Sequence, residues 1–109
     1  MNVSGFIRGM MAKRFSVEDY LLKVAESIEY QLNEWEKGYE LLVLKLADYE
    51  IWVKKDDEYI YELSISEGLA KELQNRSPFS LDRELWSQLE AQGLEIKKGY
   101  GNYMDVIGW

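Results

Sequence analysis

The chain is predicted to adopt an α+β fold, with an antiparallel sheet of about five strands packed against one long helix in the order α-β-β-β-α-α-β-β. Three observations predict it. Residues 16–37 carry apolar side chains at helical spacing. Residues 39–65 switch to β-branched and aromatic runs. The helical patterns after Ser66 stand apart from those runs instead of alternating with them. With 109 residues the chain fits one domain, read as an N-terminal arm over 1–15 and a single α+β domain over 16–109.

In the arm, Phe6, Ile7, Met10 and Met11 could form one face of a short helix. Gly5 and Gly9 weaken it by about 1 kcal/mol each relative to alanine. The segment therefore reads as a loosely held terminus, whose loss would change stability by less than about 1 kcal/mol. The competing reading is an amphipathic segment that docks on a partner or a membrane surface.

Residues 16–37 give the strongest helical pattern. Ser16 can cap, with Asp19 three positions on. Val17, Tyr20, Leu21, Val24, Ala25, Ile28, Leu32 and Trp35 form one continuous stripe, and Gly38 stands where a helix-ending glycine should. Gln31 interrupts the stripe, and the pattern is short for a coiled coil.

The runs YELLVLKLA, EIWVKK and EYIYELSI then predict a three-stranded antiparallel meander, punctuated at Asp48-Tyr49 and Asp56-Asp57. Both faces of the first strand are partly apolar, which predicts a central or doubly covered strand. Tyr59, Tyr61, Leu63 and Ile65 are expected to share a face. The loop over 55–58 decides the register of the second strand. An odd loop sets Ile51 and Val53 beside Tyr59 and Tyr61, whereas an even one sets Trp52 there. Asp-Asp lacks the glycine that a type I′ turn favours, so the odd, bulged loop is expected.

Ser66 opens a helix through about Gln74, with Leu69, Ala70 and Leu73 inward. Ser80 is read as the cap of a helix over 81–92, lined by Leu81, Leu85, Trp86 and Leu89. Gly93 and Leu94 read as a Schellman ending, with Leu94 meeting Leu89. Residues 94–98 and 103–107 look like a terminal hairpin around the glycine-rich turn at 99–102.

Composition narrows the chemistry. The chain has no cysteine and no histidine. Thiol and imidazole nucleophilic systems are thereby excluded, as are the usual zinc sites. Acid–base work would fall to carboxylates, lysine or tyrosine. Net charge is −7, and the first fifteen residues hold Arg8, Lys13 and Arg14 without an acid. Such a body repels nucleic acid and anionic membranes and favours basic partners. No apolar run reaches membrane-spanning length, and no signal peptide is read, so cytoplasmic residence is the default expectation.

The sequence offers four candidate sites. Asp56-Asp57-Glu58 is the densest acidic cluster, but it lacks calcium-loop spacing and reads first as a solvated hairpin tip. The carboxylate pairs Asp48/Glu50, Asp82/Glu84 and Glu34/Glu36 could serve glycosidase-type chemistry, though a domain this small leaves little room for a cleft, and surface solvation is expected instead. Residues 99–103 lack the Lys-Ser/Thr of a phosphate loop. The aromatics remain: Trp35 and Trp86 are expected in the core, while Trp52 depends on register.

The expectation is a non-enzymatic module of inhibitor, immunity or adaptor type, without metal or cofactor. It would bind a protein with a basic surface through Trp52, Asp56, Asp57 and Glu58. A small ligand-binding domain or enzyme using carboxylates and tyrosines, and a structural homodimer subunit, stand as alternatives.

Overall fold

A computed structural model describes residues 4–99 and 102–109. Residues 1–3 of the arm and residues 100–101 of the expected terminal turn lie outside the described residues. The elements run α1 (Gly5–Arg14), α2 (Val17–Trp35), β1 (Tyr39–Lys45), β2 (Tyr49–Lys55), β3 (Glu58–Ile65), α3 (Glu67–Arg76), α4 (Ser80–Ala91) and a short α5 (Tyr103–Val106). The fold is α+β, as expected, but among the described residues the sheet has three antiparallel strands, ordered β1-β2-β3, and not five.

The long helix forms for the reasons its sequence gives. The Ser16 hydroxyl accepts the Asp19 amide at 3.1 Å, and Tyr20, Leu21, Val24, Ile28 and Leu32 are buried. They meet Tyr49, Ile51, Val53, Leu63 and Ile65 from one face of the sheet, together with Leu81, Leu85, Trp86 and Leu89 of α4. Among the described residues no helix covers the opposite sheet face: Leu42, Leu44, Glu50, Trp52 and Lys54 are only half-buried, and Tyr59 and Glu62 are exposed. β1 is therefore an edge strand, not the central or doubly covered strand its leucines suggested; β2 occupies the middle.

The β2–β3 connection corrects the expected odd loop. Lys55 pairs with Glu58, leaving a two-residue turn in which Asp56 and Asp57 both take positive φ, 52° and 67°. These are type I′ angles, adopted here without glycine. The irregularity lies in the strands instead, where Val53 pairs with Tyr61 and Lys54 with Tyr59, so Ile60 is the extra residue of a bulge. That slip keeps Ile51 and Val53 beside Tyr61 and Leu63 but turns Tyr59 to the face of Trp52. The expected Tyr59–Tyr61 grouping is thus broken, and Trp52 stays out of the core.

Among the described residues the terminal hairpin is absent. Residues 94–99 carry no regular structure, and Tyr103–Val106 is helical, ended by a Schellman motif in which the Trp109 amide bonds Met104 O and the Gly108 amide bonds Asp105 O. The same motif ends α4 as expected, with the Leu94 amide on Leu89 O. Helix α4 begins at Ser80 itself, with Phe79 at the cap position and no side-chain cap bond.

Both sheet edges are guarded by side chains. On β3, Gln88 donates to Ser64 O at 2.9 Å and accepts its amide at 3.1 Å; Gln92 does the same at Glu62, at 2.8 and 3.3 Å. On β1, Asn33 donates to Tyr39 O and accepts its amide, and Glu29 accepts the Leu41 amide at 3.2 Å. Four helical residues rise about 6 Å and two strand residues about 6.6 Å, so side chains at i and i+4 meet alternate strand positions.

Candidate functional site

Among the described residues the only buried carboxylate is that of Asp82, which was expected on the surface. Arg8 of α1, also buried, donates to its Oδ1, and the Tyr103 hydroxyl donates to its Oδ2. Arg8 further donates to Ser27 Oγ at 3.0 Å and stacks over the Phe79 ring at 4.9 Å, while Trp86 Nε1 donates to the Tyr103 hydroxyl at 3.1 Å. Burial pushes the Asp82 carboxyl above its ordinary value, against the opposing pull of Arg8 and Tyr103. Burial and the Asp82 charge together push Tyr103 well above the usual phenol range. These groups satisfy one another in a closed core. They tie α1, α2, α4 and α5 together and offer no approach to a substrate.

Residues 5–14 of the arm are thus a helix held by its one buried cation. Gln74 adds two bonds, donating to Ala12 O and Phe15 O at 2.9 Å. The helix sits with Arg8 inward and with Phe6, Ile7 and Met10 exposed.

The open sheet face is where exposed aromatics and acids meet. Trp52 and Tyr59 contact edge to face, with ring centroids 5.6 Å apart and planes at 84°. They line a shallow groove of about 440 Å³ with Ile60, Tyr61, Glu62 and Gln92. Trp52 Nε1 donates to Glu50 Oε1 at 3.0 Å. Strand pairing sets Trp52 opposite Glu62 and Glu50 opposite Ser64, so the two glutamates are diagonal neighbours on one face. A protonated Glu62 can hydrogen-bond the Glu50 carboxylate, and this, with partial desolvation and like-charge repulsion, raises its pKa above the usual carboxylate value. Lys54 already stacks on Tyr59 at 5.4 Å.

The structure separates the four residues singled out by sequence. Trp52 lies in the groove. Asp57 and Glu58 stand exposed at the hairpin tip just beyond Tyr59. Asp56 faces Gly38, whose φ is +107° and whose carbonyl accepts the Asp56 amide at 3.0 Å. Its carboxylate lies 3.9 Å from Lys55. Sequence reasoning missed Tyr59, Glu50 and Glu62 as members of this face, because only the bulge brings Tyr59 round. A second groove of about 480 Å³ runs along α2, lined by Glu26, Glu29, Tyr30, Asn33, Glu34 and Lys37.

Among the described residues no cluster of three or more metal-ligating side chains occurs, and no helix is long and apolar enough to cross a membrane. Comparison with protein-family models, curated proteins and solved structures finds no match to this chain.

Proposed function

We propose that the chain is a non-catalytic interaction module whose open sheet face receives a basic partner. The observation that carries this reading is the Trp52–Tyr59 pair, at right angles on the uncovered side of the sheet beside the Glu50–Glu62 carboxylates. Two like charges held together are relieved by an incoming cation, and a guanidinium or ammonium can also stack on the indole. Asp57 and Glu58 extend the negative field at the hairpin tip, and the net charge of −7 steers a basic surface toward the domain.

The test places a photo-crosslinking phenylalanine analogue at Tyr59 in the full chain, in its native cells, with Phe6 on α1 as the control position. Tyr59 is expected to capture segments rich in lysine and arginine. Capture should fall as salt rises and should be lost with Trp52→Ala. Capture from Phe6 alone, or capture from Tyr59 that ignores salt, would count against the reading.

A further inference from the structure

Among the described residues the guards leave the Leu41–Lys45 stretch of β1 open. In the β1–β2 ladder, Gly38 O accepts from Asp56 N and Leu46 N donates to Asp48 O, which fixes residues 38, 40, 42, 44 and 46 as the inward-bonded set. Tyr39, Leu41, Val43 and Lys45 therefore direct their amides and carbonyls away from β2. Asn33 satisfies both groups of Tyr39, and Glu29 satisfies the Leu41 amide. Among the described residues nothing bonds the Leu41 carbonyl, either group of Val43, or the Lys45 amide. On the opposite edge Gln88 and Gln92 satisfy both groups of Ser64 and of Glu62.

Helix α2 runs antiparallel to β1 along this edge, since Asn33 serves Tyr39 and Glu29 serves Leu41. Stepping back along the same stripe brings Glu26 level with Val43 and Leu22 level with Lys45. Neither side chain forms a clamp there. Leu22 is 47% exposed, and Glu26 pairs only with Lys23, at 3.4 Å. The gap is flanked on the open sheet face by the half-buried Leu42 and Leu44. An unpaired run of carbonyl, amide, carbonyl and amide beside apolar side chains is what an added strand requires.

We infer that the Leu41–Lys45 stretch of β1 is a strand-addition site for an extended, basic segment of a partner protein, whose alternate side chains lie over Leu42 and Leu44. This rests on the basic-partner reading above. Charge selects the occupant. Glu29 lines the helix side of the gap and Glu40 stands at its entrance, while Lys23–Glu26 and Lys45–Glu67 are already paired, at 3.4 and 3.7 Å. A second copy of the chain would bring two bodies of net charge −7 together.

The test uses the full chain labelled for amide exchange and three peptide probes. One is a hexapeptide of alternating valine and lysine; the second has glutamate for lysine; the third is the lysine peptide with its edge-facing amides N-methylated. In the free protein the Val43 amide should exchange far faster than those of Leu42 and Leu44. The lysine peptide should slow it about tenfold or more, and the other two should leave it unchanged. Val43→Pro removes the donor and should abolish binding; where that variant does not fold, the N-methylated peptide makes the same cut from the other side. A Val43 amide already protected in the dilute monomer would overturn the inference. So would equal binding of the N-methylated peptide with shifts confined to Trp52 and Tyr59, although the basic-partner reading would survive that result. Failure of every basic peptide would sink both. Protection of Val43 that appears only on concentrating the protein would assign the edge to a second copy instead.

Discussion

Arg8 and Asp82 form a buried ion pair although 74 residues separate them in the chain. The first helix is fastened to the fourth at this point, and Tyr103 of the last helix holds the other carboxylate oxygen at 2.5 Å. A buried pair of this kind contributes little net stability against an apolar replacement, but removing one partner strands the other charge.

Arg8→Met should therefore cost about 3–5 kcal/mol at neutral pH in a denaturant titration. Without Arg8 the folded-state pKa of Asp82 rises further. A carboxyl whose folded pKa lies above its unfolded value holds its proton more tightly when folded, so its contribution favours folding at low pH and is lost as pH rises through that window. The deficit of the variant should shrink on acidification. Deleting residues 1–11 should cost a similar amount, where a loosely held arm would be nearly neutral. A deletion costing under 1 kcal/mol would show that Arg8 is dispensable.

The amide clamps on β3 predict a different signature. Gln88→Ala with Gln92→Ala returns the edge amides of Ser64 and Glu62 to water, so each loss should be modest, about 0.5–1 kcal/mol. Exchange at those two amides should accelerate selectively, and light scattering should show greater self-association as the edge opens. Unchanged exchange at Ser64 would mean that Gln88 does not guard it.

The tip of the β2–β3 hairpin holds two aspartates at positive φ, where glycine carries no Cβ penalty. Asp57→Gly should stabilise by about 0.5 kcal/mol, since the Asp57 side chain is fully exposed and its pairing with Lys54, at 3.9 Å, is weak. Gly38→Ala should do the reverse. Its φ is +107°, and a Cβ there would lie 2.2 Å from Asp56 Oδ1, so a loss of about 1–2 kcal/mol is expected by thermal or chemical unfolding. A neutral Gly38→Ala would show that a Cβ is tolerated beside Asp56.

What was legible in the sequence follows from range. The stripe of α2 and its Ser16 cap are local, and so is the ending at Gly93-Leu94. The three strands are readable because their composition changes abruptly at Gly38. Residues 103–107 misled because a four-residue helix is too short to show a period, and Tyr103, Asp105 and Ile107 pass for alternation. Gly108-Trp109 did carry the correct signal, since it repeats the helix ending of Gly93-Leu94. The core role of Asp82 depends on Arg8, which sits between two glycines in a segment with little helical character of its own. Asn33, Gln88 and Gln92 look like solvated helix positions until the strands they clamp are in place. Trp52 was open in sequence, and a bulge at Ile60, for which the sequence offers no glycine, decided its partner.

Glu50 and Glu62 give the most direct handle on the open face. Strand pairing brings their carboxylates together, and Glu62 is raised above the ordinary glutamate value chiefly by its hydrogen bond with Glu50, with partial desolvation and repulsion from the Glu50 charge adding to it. The folded chain therefore binds this proton more tightly than the unfolded chain does. The contribution favours folding in acid and is lost as pH rises from the ordinary glutamate value through the raised one. Glu50→Gln removes the like charge, so the Glu62 pKa should fall back toward the ordinary range, and the dependence of stability on pH should flatten there. A bound basic segment acts in the same direction, because a cation favours the ionised carboxylate. Its binding should release protons and strengthen as pH rises through the raised value. Carboxyl-carbon titration by nuclear magnetic resonance, on the wild type and on Glu50→Gln, with and without a basic segment bound at the open face, reads each shift of the Glu62 pKa. A Glu62 titration identical in both proteins would mean that the two carboxylates do not interact, and the electrostatic case for a cation at this face would go with it.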